Sequence, residues 1–509
     1  MSAAILIHLI GTTLFAAAFY MLGRGIVQRE NSRSFSPLPA FGLVLAALAF
    51  QLIVPTGGII ARFGHLFLDF GLGMGLASFY LMAQRTKPAL FLVPSLLALV
   101  ISGGIYGVDY LNKWVSGDIR DRADAVEFLV ELGPDDQLSE IQPLLDAYDA
   151  VAEKAFPNVD LSESEDLAQY FLVHVAEKNY ETLAELLKDD RENVDQLARN
   201  GVVELIQPTK PAQTVQRGGQ FLADDPFLSK QWYAEALQYN QVYQFLQKNK
   251  PVRKVKVAIV DTGVDGVHED IEGVYTKSGG IGDRDKHSHG THCAGLAGAA
   301  TNNGKGVGSL NLNGDFITLS GYPALDERGR GTDQRVAQAI IDAAESGADV
   351  ISMSLGGPAF FGPPKAQKDA INYARKLGAI VVVAAGNSND DARRYSPANI
   401  PGVITVSAVD PELNKAAFSN VNTRLKMPIA APGVDILSSI PGSDYQSYNG
   451  TSMATPIVAG LVGMLCAYNP DLTAEEAYRI LNQTGTQVRD SDKVGRVINP
   501  LAALQAVAK

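Results

Sequence analysis

The segment GTSMATP contains Ser452, the residue of this chain with the clearest chemical potential. Small residues surround it, and the apolar run IVAGLVGML that follows predicts a buried helix. At the start of such a helix, a serine hydroxyl and its backbone N–H both lie at the positive end of the helix dipole. A serine hydroxyl is a poor nucleophile by itself. Nucleophilic catalysis therefore requires a base, a group that orients the base, and donors for an oxyanion.

Three further polar residues follow or begin predicted elements. Asp261 ends the strand-like run VKVAIVD, Asn387 follows the run AIVVVAAG, and His289 begins the small-residue segment HGTHCAG, which predicts a closely packed helix. The carboxyl ends of parallel strands gather at one edge of a sheet, so these residues are expected to converge. His289 can take the proton of Ser452, and Asp261 can orient and stabilise the imidazole. The Asn387 amide and a helix N-terminal N–H can bind the oxyanion.

The segments VAIVDTGVD, HGTHCAG, SLGGP, AAGN and GTSMATP, in this order, resemble those of subtilisin-like serine proteases. The stretch AAGNSNDDARRYSPA is most similar to the proteinase K branch of that family. The resemblance runs from about residue 224 to the C-terminus. It implies an α/β fold with a parallel sheet flanked by helices, a triad of Asp261, His289 and Ser452, and Asn387 as the oxyanion donor. It implies a serine endopeptidase that forms an acyl-enzyme and needs no cofactor for its chemistry.

The same resemblance implies where a polypeptide substrate binds. Two edge strands would pair with an extended substrate, and pockets for alternate side chains would select it. A broad preference for apolar or aromatic residues before the scissile bond is expected. The implied residues are Ser354, Leu355 and Gly356 in SLGG, Arg330 in RGRGT, and Tyr395 near the pocket for the residue before the scissile bond.

Metal binding is a secondary expectation. Asp270 and the loop NNGKGVG, with Asn303, resemble a subtilisin calcium loop that offers a carboxylate and carbonyl oxygens. Ordinary loop chemistry explains the same residues equally well. His292 follows His289 at a spacing that could hold zinc, but the sequence has neither HExxH nor a second ligand cluster. The two cysteines, Cys293 and Cys466, are expected to be buried free thiols.

Residues 1–107 carry most of the long apolar runs. Four stretches have roughly the 20 mostly apolar residues that cross a hydrocarbon core, and short polar links separate them. They predict a four-helix transmembrane anchor over residues 1–109, with spans at residues 4–22, 39–60, 64–82 and 89–106. The lipid bilayer is therefore an expected partner. A membrane-protein complex formed through these helices is a further expected one.

Positive charges set the expected orientation of this anchor. The first and third links are basic, whereas the second holds one arginine; the residues are Arg24, Arg29, Arg33, Arg85 and Lys87 against Arg62. By the positive-inside rule the basic links face the cytoplasm. Both termini then lie outside it, which predicts a multi-pass inner-membrane or plasma-membrane protein with an extracytoplasmic, periplasmic protease domain. His8, His65 and Asp69 lie within the spans, and either a bound metal or haem or simple mutual hydrogen bonds would explain them.

Residues 110–211 form an acidic segment. Between residues 123 and 200 about 20 acidic residues oppose about 5 basic ones, a balance of roughly −15. AVEFLVEL, QYFLVHVAE and GVVELIQP predict strands, and LSEIQPLLDAYDAVAEKAF and NYETLAELLKDD predict helices. We expect a small α+β domain, a linker at residues 212–223 and a protease domain at residues 224–509.

The acidic domain resembles a subtilase propeptide, and NGVVELIQPTKPA resembles its last strand and tail. Self-cleavage between about Thr209 and Phe221 would free the protease from its anchor, so an uncut, retained domain is equally compatible with the sequence. The net charge of −12 argues against a nucleic-acid partner. Two functions remain: a membrane-tethered serine endopeptidase, or a structural or regulatory subunit of a membrane complex that uses the protease fold as a scaffold.

Overall fold

The computed structural model describes residues 119–121, 124–205, 209, 220–278 and 281–508. The chain divides into two compact units, Met1–Ala125 and Val126–Lys509. The four expected membrane spans, with their two histidines and one aspartate, lie outside the described residues. Most of the expected linker lies outside them as well. The fold described below is that of the second unit.

The acidic segment, residues 125–205, folds as a small α+β domain that we call the cap. Its four-stranded sheet has the order β2-β3-β1-β4, and the pairs β1/β4 and β2/β3 are antiparallel. A fifth strand, β5, pairs outside this sheet. The strands are β1 (Ala125–Leu132), β2 (Val151–Lys154), β3 (Tyr170–Ala176), β4 (Val194–Arg199) and β5 (Val202–Glu204); the helices are α1 (Leu138–Ala147), α2 (Glu165–Ala168) and α3 (Glu177–Asp189).

One expected helix of the cap is in fact a helix and a strand. The sequence pattern predicts a single helix over LSEIQPLLDAYDAVAEKAF, whereas α1 ends at Ala147 and β2 begins at Val151. Between them Asp149 adopts a left-handed conformation (φ 51°), which turns the chain. The four residues of β2 lie at the edge of the sheet and are mostly exposed, so they lack the apolar alternation by which a strand is recognised.

A six-stranded parallel sheet of order β14-β13-β11-β9-β6-β7 forms the centre of the rest of the unit, as the sequence predicts. Its strands are buried on both faces, which explains their continuous apolar runs. The sheet strands are β6 (Val255–Asp261), β7 (Ile317–Pro323), β9 (Val350–Met353), β11 (Ile380–Ala384), β13 (Ile404–Val409) and β14 (Pro428–Pro432); the short strands are β8 (Arg330–Thr332), β10 (Gly357–Pro358), β12 (Tyr395–Ser396), β15 (Ile436–Ile440) and β16 (Asp444–Tyr448).

Helices cover both faces of this sheet. One face packs against α6 and α9, and the other packs against α7 and α8. The helices are α4 (Trp232–Ala236), α5 (Tyr239–Lys248), α6 (His289–Gly298), α7 (Asp333–Glu345), α8 (Lys365–Lys376), α9 (Thr451–Tyr468), α10 (Ala474–Thr484), α11 (Ser491–Val494) and α12 (Pro500–Val507); short 3-10 helices lie at Ile119–Asp121, Leu228–Lys230, Glu272–Val274, Ile281–Asp283 and Ala392–Arg394.

Helices α6 and α9 approach each other closely because their contact residues are small. A Cβ atom on Gly460 of α9 would lie 2.4 Å from the carbonyl oxygen of Ala297 on α6, so only glycine fits there. Among the described residues, α9 alone has the length and mean hydropathy of a membrane span, and 94% of that span is buried inside the fold. It is the central core helix of the unit.

The two central strands of the cap sheet, β1 and β3, are largely buried on both faces. In β1, Phe128 and Val130 face the cap's own core beneath α1 and α3, whereas Leu129 packs into the cluster formed by α7 and α8. The next residue of that second face is Glu131, whose Oε1 lies 2.6 Å from Nζ of Lys365 on α8. The cap therefore docks on α7 and α8 through an apolar surface that contains one buried ion pair.

The last residues of the expected linker pack on the protease core. Ala223 is buried and Phe221 contacts the core cluster of α4 and α5. The side chain of Asn240 accepts from the Leu222 N–H at 2.8 Å and donates to the Gln220 carbonyl at 2.8 Å. The described residues of the expected linker, Gln220 to Ala223, therefore pack on the protease region.

Candidate active site

The four expected catalytic residues lie at the ends of elements that meet at one edge of the sheet. Asp261 is the last residue of β6, and Asn387 lies three residues after β11. His289 is the first residue of α6, and Ser452 is the second residue of α9. Asp261, His289 and Ser452 are fully buried in this capped structure.

Asp261 and His289 form a direct pair. Nδ1 of His289 lies 2.8 Å from Oδ1 and 3.0 Å from Oδ2 of Asp261. Burial lowers the pKa of His289, but the negative charge of Asp261 outweighs it and leaves the pKa well above 6.5. The pairing directs Nδ1 to the carboxylate, so the opposite nitrogen is the one that can act as a base. That nitrogen, Nε2, is buried and makes no hydrogen bond within the described part of the chain.

The position of His289 depends on a close approach between α6 and the loop after β6. A Cβ on Gly290 would lie 2.0 Å from the Gly263 carbonyl oxygen, so a side chain there would push the helix away. Buried Asp285 accepts from Thr262 Oγ1 at 3.0 Å and from Thr291 Oγ1 at 2.7 Å, which joins the loop to the first turn of α6. The sequence analysis missed Asp285, and its position between two motifs was the only available signal.

The nucleophile lies on the other side of this cluster. Ser452 Oγ donates to the Ser354 carbonyl at 3.3 Å, and Ser354 Oγ donates back to the Ser452 carbonyl at 2.9 Å. These bonds tie the start of α9 to the end of β9, and so fix where the hydroxyl emerges. Catalysis requires Oγ to turn from the Ser354 carbonyl toward the imidazole. Hydrogen bonds between a nucleophile and its base commonly form or tighten only when substrate binds.

Asn387 is oriented as an oxyanion donor. Its Oδ1 accepts from the Thr451 backbone N–H and from Thr451 Oγ1, both at 2.9 Å. The amide nitrogen therefore points away from these donors. It lies beside Gly450, where it would be 3.2 Å from a Cβ placed on that residue. The Asn387 side chain and the N-terminus of α9 are thus both positioned to stabilise a developing negative charge.

Cys293 lies inside the catalytic cluster, which the sequence analysis did not foresee. Its Sγ is 3.9 Å from Nδ1 of His289 and 3.5 Å from the Ser452 carbonyl oxygen, so it fills the space between the two catalytic helices. Both cysteines are buried and free, as expected. Burial raises the pKa of the Cys293 thiol, which keeps it protonated and uncharged. His292 Nε2 donates to the Ile436 and Gln446 carbonyls, 3.1 and 2.9 Å away, and so joins α6 to β15 and β16.

The residues expected to bind substrate line a strand-shaped cleft, and the end of the cap occupies it. Strand β5 pairs antiparallel with β8, with Glu204 opposite Arg330. The Leu205 N–H donates to the Gly329 carbonyl at 2.7 Å, and Leu205 forms a bridge with Leu355. On the same side, the Gly356 N–H donates to the Glu204 carbonyl at 3.5 Å. The cap thus supplies a strand between two edges, as an extended peptide would.

The same segment is bonded on the far side of the nucleophile. The Thr209 N–H donates to the Asn449 carbonyl at 3.2 Å, and the Asn449 N–H donates to the Thr209 carbonyl at 2.8 Å. Asn449 lies only three residues before Ser452. Leu205 is thus held at Leu355, next to Ser354, and Thr209 is held at Asn449, so both described residues lie beside elements that carry the candidate site.

Tyr395 lies at the floor of this region, in the short strand β12 that pairs with β10. Its ring approaches Gly386, with Cδ1 3.7 Å from a Cβ placed there. Gly386 itself directly precedes the oxyanion residue Asn387. Tyr395 is therefore close to the loop that carries the oxyanion donor.

The expected calcium residues lie in a second, separate cluster. The buried Asp270 carboxylate accepts from the Val307 N–H at 2.8 Å and from Asn303 Nδ2 at 3.3 Å. A second buried carboxylate, Asp225, accepts from the backbone N–H groups of Asn302 and Asn303. Burial raises the pKa of Asp225 to about 6, and the neighbouring Asp270 charge adds to it. Neither carboxylate forms an ion pair with a lysine or arginine among the described residues. Such a set of oxygen ligands suits Ca²⁺.

Comparisons with known proteins show the family to which the chain belongs. A model of the subtilase family, Peptidase S8, matches residues 252–497. The chain is 39% identical over 258 residues to subtilisin DY of Bacillus licheniformis, covering 91% of it, and 38% identical over 253 residues to thermitase of Thermoactinomyces vulgaris, covering 86% of it. These alignments cover 49% and 48% of this chain.

A thermophilic serine proteinase of Bacillus sp. (strain AK1) is 42% identical over 217 residues, but the chain spans only 52% of its length and 42% of this chain is covered. Among solved structures, fervidolysin from Fervidobacterium pennivorans, described as a keratinolytic enzyme related to subtilisin, matches with a TM-score of 0.61 and 25% identity. That match covers 75% of this chain and 61% of fervidolysin. The identities, the family match and the shared sheet agree, and the chain belongs to the subtilase family of serine endopeptidases.

Proposed function

We propose that the whole protein is a membrane-anchored serine endopeptidase that carries the end of its cap, residues 201–205, in its own cleft. We call these residues the cap tail. The pairing of His289 with Asp261 beside Ser452 is the observation that carries this proposal. The relatives named above support the reaction class.

The geometry supports acyl transfer by the following steps. His289 Nε2 takes the proton as Ser452 Oγ attacks a peptide carbonyl, and Asp261 stabilises the imidazolium. The Asn387 amide and the Ser452 N–H hold the oxyanion of the tetrahedral intermediate. The imidazolium then protonates the leaving amine. Water, activated by the same imidazole, hydrolyses the acyl-enzyme.

The cap tail supports peptide hydrolysis because it binds as a polypeptide substrate would. The sequence between Leu205 and Thr209 is Ile-Gln-Pro. The sequence alone is equally compatible with an uncut cap and with self-cleavage between about Thr209 and Phe221. Because Leu205 is held at Leu355 and Thr209 at Asn449, the cut that we propose lies between Leu205 and Thr209. A cut after Ile206 accords with the proposed preference for apolar or aromatic residues before the scissile bond.

The anchor remains part of the proposal. Four apolar stretches within residues 1–109, with basic first and third links, support a multi-pass membrane protein with an extracytoplasmic protease domain. The alternative is a subunit of a membrane complex that uses the protease fold as a scaffold. The catalytic geometry favours the enzyme, because a scaffold has no need of a buried carboxylate–imidazole pair beside a serine.

Two finer proposals accompany the proposed protease function. We propose that Asp225, Asp270 and Asn303 hold a structural Ca²⁺, on the strength of the two buried carboxylates and the Asn303 side chain beside them. Within the family, the segment AAGNSNDDARRYSPA favours the proteinase K branch.

The direct test uses a membrane-impermeant fluorophosphonate on intact cells and on alkali-washed membranes. Labelling that stays in the washed membrane, and disappears in Ser452→Ala, supports an anchored extracytoplasmic enzyme. Labelling only after the cells are broken would contradict the orientation, and release of the uncut chain by alkali would contradict the anchor. N-terminal sequencing gives the cut site: a new terminus at Gln207 that is absent in Ser452→Ala supports self-cleavage after Ile206. A terminus beyond Thr209 would contradict that site.

A further inference from the structure

Gly201, the residue just before strand β5, joins the cap tail to the first turn of α7. The Gly201 N–H donates to Asp333 Oδ2 at 3.0 Å, and the Asp333 N–H donates to the Gly201 carbonyl at 2.9 Å. Asp333 thus binds both backbone groups of Gly201, one with its carboxylate and one with its own backbone N–H. This pairing recognises the peptide backbone and requires it to come close to the carboxylate.

The same contact excludes larger residues. A Cβ on Gly201 would lie 2.6 Å from Asp333 Oδ2, closer than a carbon atom and a non-bonded oxygen approach each other. The carboxylate cannot easily move away to relieve this clash, because its other oxygen accepts from Gln367 Nε2 at 2.7 Å. Gln367 Oε1 in turn accepts from Ser396 Oγ at 3.0 Å, and both of these side chains are buried. The carboxylate is therefore fixed from behind.

We propose that Asp333 is a specificity-determining residue of the cleft and selects glycine in the bound polypeptide at the position that Gly201 occupies. The inference rests on the proposed function, because only a peptide bound in the cleft meets Asp333. It narrows the class of substrate from any extended chain to one with a defined glycine.

The neighbouring contacts complete the sequence pattern. Val203 and Leu205 are buried, with 5% and 3% of their surface exposed, whereas Val202 is 69% exposed. Glu204 also faces solvent, with its Oε1 3.0 Å from Nε of Arg330. The cleft therefore favours Gly-x-apolar-x-apolar on the N-terminal side of the cut, with an acidic residue preferred between the two apolar ones.

The residue before the glycine adds a further contact. Asn200 Oδ1 accepts from the Gln334 N–H in the first turn of α7 at 2.9 Å, while its Nδ2 donates to Glu127 Oε2 in the cap at 2.8 Å. The Asn-Gly pair is thus bound by two consecutive residues of α7, well away from Ser452. Selection at this distance acts on binding and leaves the chemistry of the triad unchanged.

The test measures how fast a fluorophosphonate labels Ser452 in the full-length protein, since labelling requires the tail to leave. In Gly201→Ala the methyl clash and a strained hydrogen bond should accelerate labelling about tenfold. Gly133→Ala is the matched control: its Cβ would meet the Asp136 carboxylate at 2.3 Å, but in the cap and far from the cleft. It should label at about the wild-type rate. Combined with Asp333→Ala, the effect of Gly201→Ala should shrink to about twofold, because the obstructing carboxylate is gone.

A peptide competition keeps the test informative if Gly201→Ala loosens the cap altogether. In that variant, Asn-Gly-Val-Val-Glu-Leu-amide should slow labelling at about one tenth the concentration needed for Asn-Ala-Val-Val-Glu-Leu-amide. Equal potency of the two peptides would overturn the inference, and so would equal effects of Gly201→Ala with and without Asp333. If Ser452 is labelled in none of these proteins, the proposed function itself fails. Labelling without discrimination overturns the glycine selection alone.

Discussion

Nδ1 of His289 lies 2.8 Å from Oδ1 of Asp261, and both side chains are fully buried. A buried imidazole alone would be hard to protonate, yet the adjacent carboxylate reverses this and raises the pKa of His289. The base is therefore strong enough to take a serine proton, and its tautomer is fixed by the same bond. This relationship determines the pH dependence of the site.

We expect the rate of fluorophosphonate labelling at Ser452 to rise with pH, because only the neutral imidazole can act as a base. The midpoint should lie above 6.5, since the folded pKa of His289 is raised. Asp261→Asn should lower the rate by about 10⁴. It should also move the midpoint downward, because burial then acts without the opposing charge. An unchanged midpoint in Asp261→Asn would show that this carboxylate does not control the base.

The oxyanion donor can be tested without disturbing the fold. Asn387→Asp keeps an oxygen to accept from the Thr451 N–H but replaces the donor amide with a second acceptor. We expect the labelling rate to fall about 10²–10³-fold with an unchanged melting temperature. Asn399→Asp is the control, because the side chain of Asn399 donates to the Arg393 carbonyl in the same region but not toward the nucleophile. Equal losses in both variants would indicate a general structural effect.

Calcium should stabilise the protein in a pH-dependent way. The folded pKa of Asp225 is raised to about 6, above the unfolded value near 3.8. The proton on Asp225 therefore stabilises the folded protein, and this stabilisation is lost as the pH rises from about 4 to 6. A bound cation offsets the loss only when the carboxylate is ionised. Added Ca²⁺ should raise the melting temperature more at pH 7.5 than at pH 4.5.

The calcium-induced rise in melting temperature should vanish in the double variant Asp225→Asn/Asp270→Asn. Thermal unfolding with and without chelator measures it. Asp224→Asn is the matched control, since Asp224 accepts only from the Gly304 N–H at the edge of the cluster. A calcium response that persists in the double variant would place the ion elsewhere. No response at any pH would contradict the site.

The buried ion pair beneath the cap should hold it in place. Lys365 Nζ lies 2.6 Å from Glu131 Oε1 and 2.8 Å from Asp369 Oδ2. Burial raises the pKa of Glu131 even with the lysine present, so loss of the cation leaves a costly buried carboxylate. Lys365→Met should weaken docking of the cap by about 1–3 kcal/mol and speed labelling of Ser452 accordingly.

Lys368→Met, an exposed position on the same helix, should have little effect. Adding Glu131→Gln to Lys365→Met should recover much of the loss, because no buried charge is then left unpaired. If Lys365→Met labels at the wild-type rate, the ion pair contributes nothing to docking of the cap.

The expected catalytic residues could be placed at the ends of elements from the sequence because each follows or begins a strong local signal. Asp261 and Asn387 end or follow continuous apolar strands, and His289 and Ser452 begin helices whose small residues require close packing. The parallel sheet follows from the same runs. Local pattern and tertiary role agree at these positions, so the residues could be placed without knowing the contacts between distant segments.

Other features depend on contacts between distant segments and have no local signal. Asp225 lies 45 positions before Asp270 in the chain, and no motif around Asp225 indicates a cation site. The backbone hydrogen bonds of Leu205 and Thr209 beside the candidate active site depend on docking of the cap on α7 and α8, so the proposed cut between these residues has no local sequence signal. Strand β2 is short and exposed, so its residues read as a continuation of the preceding helix.

The account depends most directly on the reactivity of Ser452. After prolonged fluorophosphonate treatment of the full-length protein, we predict one adduct per chain, on the peptide containing Ser452. It should be absent in Ser452→Ala, strongly reduced in His289→Ala, and formed faster in Lys365→Met. An unmodified Ser452 in the wild type and in Lys365→Met, with the fold intact, would contradict the catalytic assignment.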